Sequence, residues 1–345
     1  MAYPGIGETD RSPLLVTGLP RSGTSWVGKM LQLSGQAVYV NEPMNPHHRP
    51  GRSPGVLDAK VDYAYQYICP ENEAPWLRAF RDTVRLRYHV TAELRTNRAV
   101  SDLARMGRTV AAFSRGRVKH LRALVDDPYA VLSSRWFAER LGARTVVLVR
   151  EPVSWVASWE RLGWTHYFHN LLEQPLLMRD YLDRFADELR AAIGSADSLA
   201  KNALLWKVTY ATIAQMHRES GLLHLVRYED LASDPVEGFR QLYDVCGLDY
   251  TDDVARKIAA ATTARTEAGG AMAWTLRGGL SKTAYRPMDS RAALARSRTY
   301  LCPEAAARVE EITADSVAQL DGLVYQPAWP LRRGVTAKQF DVSRP

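Results

Sequence analysis

The chain has 345 residues, of which 46% are hydrophobic and 24% charged, so it can bury the sizeable core of a globular protein. No stretch approaches the roughly 18 apolar residues of a membrane span, and the first residues lack a cationic patch followed by an apolar run, so we expect a cytoplasmic protein. The three cysteines, Cys69, Cys246 and Cys302, form neither a disulfide framework nor a metal-ligand pattern, and predict buried free thiols.

The net charge of +7 is unevenly spread. From Arg78 to Arg122, twelve Arg and Lys residues oppose three acidic residues, a local balance of +9 that leaves −2 for the remainder of the chain. This basic strip could attract an anionic acceptor, a lipid head group or nucleic acid, or it could be a solvated helical face. Aromatic residues do not alternate with the arginines as base stacking requires, which argues against binding of single-stranded nucleic acid. Nucleic acid is not expected as a partner, although a basic nucleic-acid-binding protein is kept as a third, non-enzymatic alternative. Peripheral membrane contact and self-association stay open.

The first predicted strand, Leu14 to Val16, leads through a glycine-containing turn into an amphipathic helix. Gly18 and Gly23 have the spacing of a phosphate-binding loop, except that Thr24 stands where such loops carry a lysine. The basic group lies within the loop instead, as Arg21. The pattern therefore predicts a strand, a loop and a helix that together bind a phosphate-like oxyanion.

Binding of an oxyanion does not depend on the lysine. Inward-turned backbone N–H groups and the positive end of the helix attract the anion, and the hydroxyls of Ser22, Thr24 and Ser25 can donate hydrogen bonds. A kinase is the rival enzyme, but it needs Mg²⁺, ATP and a carboxylate near the loop to hold the metal, for which the sequence shows no clear candidate.

A second short strand, Ala37 to Val40, is expected next to the loop and is followed by Glu42 and His48. Because open α/β sheets bind ligands at the carboxyl ends of their strands, these side chains are the leading acceptor-site candidates. Residues 49–74 predict a loop, and helices are expected over 75–96 and 98–114.

A strand over Leu121 to Val125 precedes Asp126 and Asp127. Asp127 is a second possible base, although an Asx turn before a helix is the favoured interpretation. The next strand, Thr145 to Val149, ends at Arg150, and Pro152 suits the first turn of a helix.

The remaining elements are a helix over 196–220 whose apolar stripe predicts core packing alone, a strand over Leu222 to Val226, and a final helix over 303–320. His166, which follows the helix after Arg150, could line the site or be a hydrogen-bonded structural residue.

The segment Pro20 to Trp26 resembles the 5′-phosphosulfate-binding loop of sulfotransferases that use 3′-phosphoadenosine 5′-phosphosulfate (PAPS). Arg150 and Ser158 resemble the 3′-phosphate-binding element of that family. The segment that begins at Arg227 is similar to the family's Tyr-Glu-Asp segment, which implies an adenine contact for Tyr228. The segment around Arg277 resembles a late motif of the family that covers the 3′-phosphate, and Arg286 is the alternative residue for that role. The segment around Glu42 resembles one in which the family's glutamate is the general base.

The resemblance implies an α/β fold with a parallel central sheet flanked by helices, of the P-loop nucleotide-kinase-like sulfotransferase type, with a helical insertion. We expect one domain over 1–345, with a core over about 13–320, an acceptor-selecting insertion over 49–120 and a tail over 321–345. It further implies transfer of a sulfuryl group from PAPS to a hydroxyl of a carbohydrate, a glycolipid or a small-molecule metabolite, without a metal. The implied donor-binding residues are Arg21, Ser22, Gly23, Thr24, Ser25, Trp26, Arg150, Ser158, Tyr228 and Arg277. The implied catalytic residues are Glu42 and Arg21, with Asp127, His48 and His166 as lesser candidates.

Overall fold

The computed structural model describes residues 11–46, 53–263, 273–275, 279–281, 289–292 and 300–324. Five strands form its central sheet: β1 (Leu14–Thr17), β2 (Ala37–Asn41), β3 (Arg122–Asp126), β4 (Arg144–Val149) and β5 (Leu223–Arg227). All neighbouring strands are parallel, in the order β2-β3-β1-β4-β5. Each lies within one residue of its predicted bounds, so the predicted parallel sheet is confirmed. A separate antiparallel pair joins β6 (Ala273–Thr275) to β7 (Gly279–Ser281).

Helices flank this sheet. They are α1 (Thr24–Gln32), α2 (Ala74–Val84), α3 (Val90–Thr96), α4 (Val100–Val118), α5 (Ser134–Leu141), α6 (Pro152–Glu160), α7 (His169–Leu172), α8 (Pro175–Leu177), α9 (Ala186–Ile193), α10 (Ser198–Ser220), α11 (Tyr228–Ser233), α12 (Pro235–Cys246), α13 (Asp252–Thr262) and α14 (Pro303–Leu320). Short 3₁₀ turns cover Pro128–Ser133 and Asp183–Phe185, and a π-helical turn covers Met178–Leu182. Within the described residues, no helix is both long and apolar enough to cross a bilayer.

The two faces of the sheet are covered by different helices. Because successive side chains of a strand point to opposite faces, Leu14 and Val16 pack with residues of α1, α12 and α13, whereas Leu15 packs with residues of α2 and α5. Helices α10 and α14 complete the second face beside β4 and β5. Both faces of the strand that leads into the loop are therefore buried.

The strand order places one strand between the loop strand and β2. The strand after the loop helix, β2, does not lie beside β1, because β3 pairs with both. All five residues of β3 are buried, whereas Tyr39 and Asn41 of β2 are partly exposed, which suits β2 to the edge. Glu42 therefore follows an edge strand that β3 separates from the loop strand.

The insertion between β2 and β3 is helical, as predicted, but is divided differently. The helix predicted over 75–96 is interrupted between α2 and α3, where Leu86 has a φ of 55° and the N–H of Arg87 donates to the carbonyl of Asp82 (2.9 Å). A β-carbon at positive φ is strained, so the helix cannot continue through Leu86. The described residues 53–73 hold no helix or strand, as expected.

The cysteine prediction is partly confirmed. Cys69 and Cys246 are buried free thiols, whereas Cys302 is exposed. Cys302 is the residue before α14 and lies at the surface where that helix begins.

Candidate active site

A glycine-containing loop joins β1 to α1. Gly18, Arg21 and Gly23 have φ values of 143°, 75° and 98°, which residues with a side chain rarely adopt. A β-carbon on Gly18 would lie 2.5 Å from the carbonyl oxygen of Leu148, and one on Gly23 would lie 2.7 Å from the Tyr228 ring. Both glycines are therefore needed for the loop to pass so close to β4 and α11.

The loop ends at an open helix N-terminus. Gly23 is the N-cap of α1, and no side chain caps the first backbone N–H groups of this helix among the described residues. Those N–H groups and the positive end of the helix dipole favour an oxyanion at this position. Thr24 and Ser25 lie in the first turn, with Thr24 buried and Ser25 partly exposed.

Aromatic side chains hold the loop from beneath. The indole N–H groups of Trp155 and Trp159 both donate to the carbonyl oxygen of Pro20, at 2.8 and 3.0 Å. The Tyr210 hydroxyl lies 3.1 Å from the Ser22 hydroxyl, which is fully buried. The Ser22 hydroxyl, predicted to face the ligand, is thus bonded within the protein. The apolar stripe of α10 predicted only packing for Tyr210, and nothing in its spacing separates Tyr210 from the other buried residues of that helix.

Two arginines and a serine converge beside the loop. The Nε of Arg21 donates to the Ser158 hydroxyl (3.4 Å), and Nη1 of Arg150 donates to the carbonyl oxygen of Arg21 (2.9 Å). The buried Nε of Arg150 has no hydrogen-bond partner among the described residues. Burial lowers the pKa of Arg21, and the nearby charges of Arg150 and Arg161 lower it further. We call Arg21, Arg150, Ser158 and the N-terminus of α1 the cationic cradle.

The cradle lacks a strong internal counterion. No described carboxylate forms an ion pair with Arg21 or Arg150. Burial raises the pKa of the nearby Glu229, although the Arg150 charge partly offsets that effect. Buried cations without a partner are costly. The residues present therefore fit an anionic group that satisfies them, and the orphaned Arg150 Nε points to the same conclusion.

The Tyr228 ring borders the cradle at the start of α11. The Arg150 guanidinium lies over this ring, 5.0 Å from its centroid, and Trp26 meets it edge-on at 5.6 Å. Trp26 also packs edge-on against Phe239 and is 7% exposed. Tyr228 is thus placed to contact a ligand in the cradle, whereas the Trp26 side chain belongs to the core beneath it.

Glu42 lies directly after β2 with a φ of 45°. Its backbone N–H donates to the carbonyl of Asp126 (2.7 Å), and its carboxylate accepts from the Asn45 side chain (2.5 Å). Burial raises the pKa of Glu42, and the hydrogen bond from Asn45 partly offsets that effect. The carboxyl group therefore lies at the carboxyl end of the sheet with a higher proton affinity than an exposed glutamate has.

Asp127 has a structural environment. Its carboxylate is fully buried and accepts from the backbone N–H groups of Met44 (2.5 Å) and Tyr129 (2.9 Å). It thereby caps the 3₁₀ turn that begins at Pro128 and ties the segment after β2 to β3. This geometry agrees with the predicted Asx turn and leaves both carboxylate oxygens occupied.

Asp126 is a site residue that the sequence did not single out as a candidate. It is fully buried at the end of β3, where the Tyr39 hydroxyl donates to its Oδ2 and its Oδ1 has no hydrogen-bond partner among the described residues. The nearby Thr24 and Ser25 hydroxyls favour its charged form. Burial raises its pKa to about 6. A carboxylate therefore lies against the helix that follows the loop, where the sequence showed no clear candidate. The sequence did not indicate this contact, because the pairing of β3 with β1 is not visible in the local sequence pattern.

The remaining predicted site residues are His166, His48, Arg277 and Arg286. His166 is 6% exposed and packs against the rings of Tyr65 (5.2 Å) and Phe168 (5.4 Å). Burial lowers its pKa to about 3, so it is neutral at ordinary pH. His48, Arg277 and Arg286 lie outside the described residues.

Comparisons with known proteins place this geometry in context. A family model described as a sulfotransferase domain matches residues 11–321. A sulfotransferase domain from the curacin biosynthetic pathway is 14% identical, with 88% of this chain and 98% of that chain covered and a TM-score of 0.46. A sulfotransferase domain from the Synechococcus PCC 7002 olefin synthase is also 14% identical, with 96% and 100% covered and a TM-score of 0.42. A mouse sulfotransferase complexed with PAP is 10% identical, with 91% and 87% covered and a TM-score of 0.42. No curated protein matches the chain significantly. The family match includes the loop, the cradle and Glu42.

Proposed function

The chain belongs to the sulfotransferase domain family, and from that premise we propose that it transfers a sulfuryl group from PAPS to a hydroxyl group of an acceptor. The observation that carries the proposal is the cationic cradle, in which Arg21 and Arg150 meet without a described ion-pair partner. A donor with two separate anionic groups supplies what this arrangement lacks.

The proposed donor lies across the cradle. The backbone N–H groups after Gly23 and the Arg21 guanidinium hold the 5′-phosphosulfate, and Arg150 and Ser158 hold the 3′-phosphate. Because the Arg21 guanidinium donates to the Ser158 hydroxyl, the two proposed anion sites are adjacent. Binding of the 5′-phosphosulfate and binding of the 3′-phosphate are therefore coupled. Tyr228 contacts the adenine. Ser22 and Trp26 act indirectly, by supporting the loop and the packing under it.

In the proposed reaction Glu42 accepts the proton of the acceptor hydroxyl as its oxygen attacks sulfur. The new O–S bond forms in line with the breaking bond between sulfur and the 5′-phosphate oxygen, and 3′-phosphoadenosine 5′-phosphate (PAP) leaves with the electron pair. Arg21 and the loop N–H groups stabilise the charge that develops on the leaving oxygen. The raised pKa of Glu42 suits a base that must hold a proton near neutral pH.

We propose a hydroxyl of a carbohydrate, a glycolipid or a small-molecule metabolite as the acceptor. The helical insertion between β2 and β3 lies beside Glu42 in the chain and is proposed to select it. Screening candidate acceptors with isotopically labelled PAPS tests this class directly, because any sulfated product carries the label.

Calorimetry with PAP and adenosine 5′-phosphate tests the donor. We expect PAP to bind at least 10-fold more tightly, because a charge-assisted hydrogen bond contributes about 1.5–3 kcal/mol. Arg150→Gln should remove most of that preference, whereas Arg218→Gln, an exposed arginine on α10, should leave it unchanged. Equal binding of the two nucleotides by the unmodified protein would show that Arg150 and Ser158 do not read a 3′-phosphate.

A P-loop kinase is the second candidate, and the contact of Asp126 with the Thr24 and Ser25 hydroxyls is the observation in its favour. In that case Asp126 would help to hold Mg²⁺. Sulfuryl transfer should persist in EDTA because Arg21 and the helix N-terminus supply the positive charge. Phosphate transfer from ATP that is abolished by EDTA would favour the kinase instead.

A further inference from the structure

The surface of α3 and α4 combines exposed apolar side chains with exposed cations. The exposed large apolar residues here are Val90, Leu94, Val100, Leu103 and Val118. The exposed cations are Arg95, Arg98, Arg108, Arg115, Arg117 and Lys119. We call these residues the α3–α4 surface. Val100 and Val118 are 84% and 80% exposed to solvent, although valine is among the residues most often buried.

No exposed carboxylate balances these cations within the two helices. The acidic residues of α3 and α4, Glu93 and Asp102, are 0% and 6% exposed, and Arg105 forms ion pairs with both. The positive charge of the basic strip is therefore displayed outward while its negative charge is turned inward. A merely solvated helical face has no need of this segregation, since mixed surface charges serve solubility equally well.

The most exposed apolar residues of α4 lie on its outward side, with cations along one edge. Met106, Phe113 and Gly116 mark its buried side. At about 100° per residue, Val100 and Val118 project directly opposite these residues. The positions between them on that side, at 104, 107 and 111, are alanine or glycine, and Arg108 and Arg115 flank the same stripe. The outward side of α4 is thus an apolar stripe bordered by arginines.

A buried hydrogen-bond network joins α3 to α4 beneath this surface. The Glu93 carboxylate accepts from the Gly55 backbone N–H (2.9 Å) and from the Asn97 side chain (2.8 Å), and Ser53 and Arg105 also bond to it. Burial alone would raise the pKa of Glu93, but these hydrogen bonds outweigh it and the pKa is lowered. The network fixes α3 against α4, so the surface is presented without folding of its own.

We propose that the α3–α4 surface binds an anionic lipid bilayer. Arginines at the border of an apolar stripe can reach lipid phosphates while the stripe enters the headgroup region. Two alternatives fit less well. A second copy docked by a two-fold contact would place six cations against six cations, and nucleic acid would leave the apolar stripe facing a polar backbone.

Vesicle flotation tests the proposal with the full chain. We expect binding to phosphatidylcholine vesicles that contain about one-third phosphatidylglycerol, and no binding to phosphatidylcholine alone. The triple variant Arg108→Gln/Arg115→Gln/Arg117→Gln should bind on the order of 100-fold more weakly, since each cation near an anionic surface contributes roughly 5-fold. The matched control Arg190→Gln/Arg218→Gln/Arg256→Gln removes the same charge from exposed positions on other helices and should bind as the unmodified protein does.

A second triple variant, Val100→Ser/Leu103→Ser/Val118→Ser, separates insertion from simple charge attraction. It keeps every cation and should weaken binding by roughly 10-fold, because the stripe no longer gains from leaving water. Unchanged binding of this variant, equal losses in the control, or no flotation at low salt would each overturn the proposal. Tighter binding to double-stranded DNA than to vesicles would also overturn it. So would a dimer of the unmodified protein that dissociates in the triple arginine variant. Flotation needs no PAPS and no turnover, so its failure is distinct from a failure of the proposed activity.

Discussion

Glu42 carries the proton in the proposed reaction. Glu42→Gln keeps the shape of the side chain but removes the proton acceptor, so kcat should fall by about 10²–10⁴-fold. PAP affinity should be nearly intact, because Glu42 lies outside the cradle, after the edge strand β2. Steady-state kinetics and calorimetry on one preparation measure both quantities.

Asp127→Asn is the comparison that makes this prediction specific. An asparagine has one acceptor oxygen for the two N–H groups of Met44 and Tyr129, so this variant should lose roughly 1–3 kcal/mol of stability. A folded Asp127→Asn or His48→Ala protein without turnover, beside a Glu42→Gln protein of normal kcat, would move the base away from Glu42.

Asp126 makes stability depend on pH. Its folded pKa of about 6 exceeds its ordinary value of 3.8, so the folded state retains the proton that the unfolded state loses. Stability should therefore fall as pH rises from about 4 to about 6, by on the order of 2–3 kcal/mol from this group. Asp126→Asn stays neutral and should lose that part of the decline. Denaturant unfolding of both proteins across this pH range measures the difference, and parallel curves would mean that Asp126 titrates normally.

At the scale of elements, the phosphate loop depends on α6 for its position. The Pro20 carbonyl accepts from both Trp155 and Trp159, so one donor remains when either tryptophan becomes phenylalanine. Each single variant should lose the packing of a buried indole but leave the carbonyl one donor, whereas Trp155→Phe/Trp159→Phe leaves that buried carbonyl unpaired and should cost about 1–3 kcal/mol beyond the sum of the two single losses. We expect PAP affinity to follow, because Arg21 is the next residue after Pro20.

A double-mutant cycle in melting temperature and PAP affinity checks this coupling. Trp76→Phe, a buried tryptophan of α2, is the control for loss of an indole elsewhere in the core. Strictly additive losses would show that the shared carbonyl does not position the loop.

Across the whole molecule, local patterns predicted the elements and sequence-distant contacts did not follow from them. The strand before Gly18 and the strand before Arg150 were predictable because each is a short apolar run that ends in a turn or a helix-starting proline. The convergence of Arg21 with Ser158 was expected only through the family resemblance. Their separation of 137 residues leaves no periodic signal in the chain.

Strand order explains what was missed. Asp126 lies against α1 only because β3 inserts between β1 and β2, and Tyr210 reaches Ser22 across 188 residues from a helix that otherwise packs the core. An apolar stripe predicts that a side chain is buried but not which polar group its hydroxyl will meet. The motifs could therefore be proposed from the sequence, whereas the residues that support them follow only from the strand order and the packing.

Arg21 and Arg150 lie close together, so their positive charges repel each other when no anion is bound. Any polyanion that reaches the cradle relieves this repulsion, so inorganic sulfate, phosphate and nucleotides are all competitors for the same charge. Each such ion stabilises the folded chain by RT ln(1 + [L]/Kd), whether or not it can react. We therefore expect the melting temperature to rise with the concentration of sulfate or phosphate, and these ions to compete with the proposed donor.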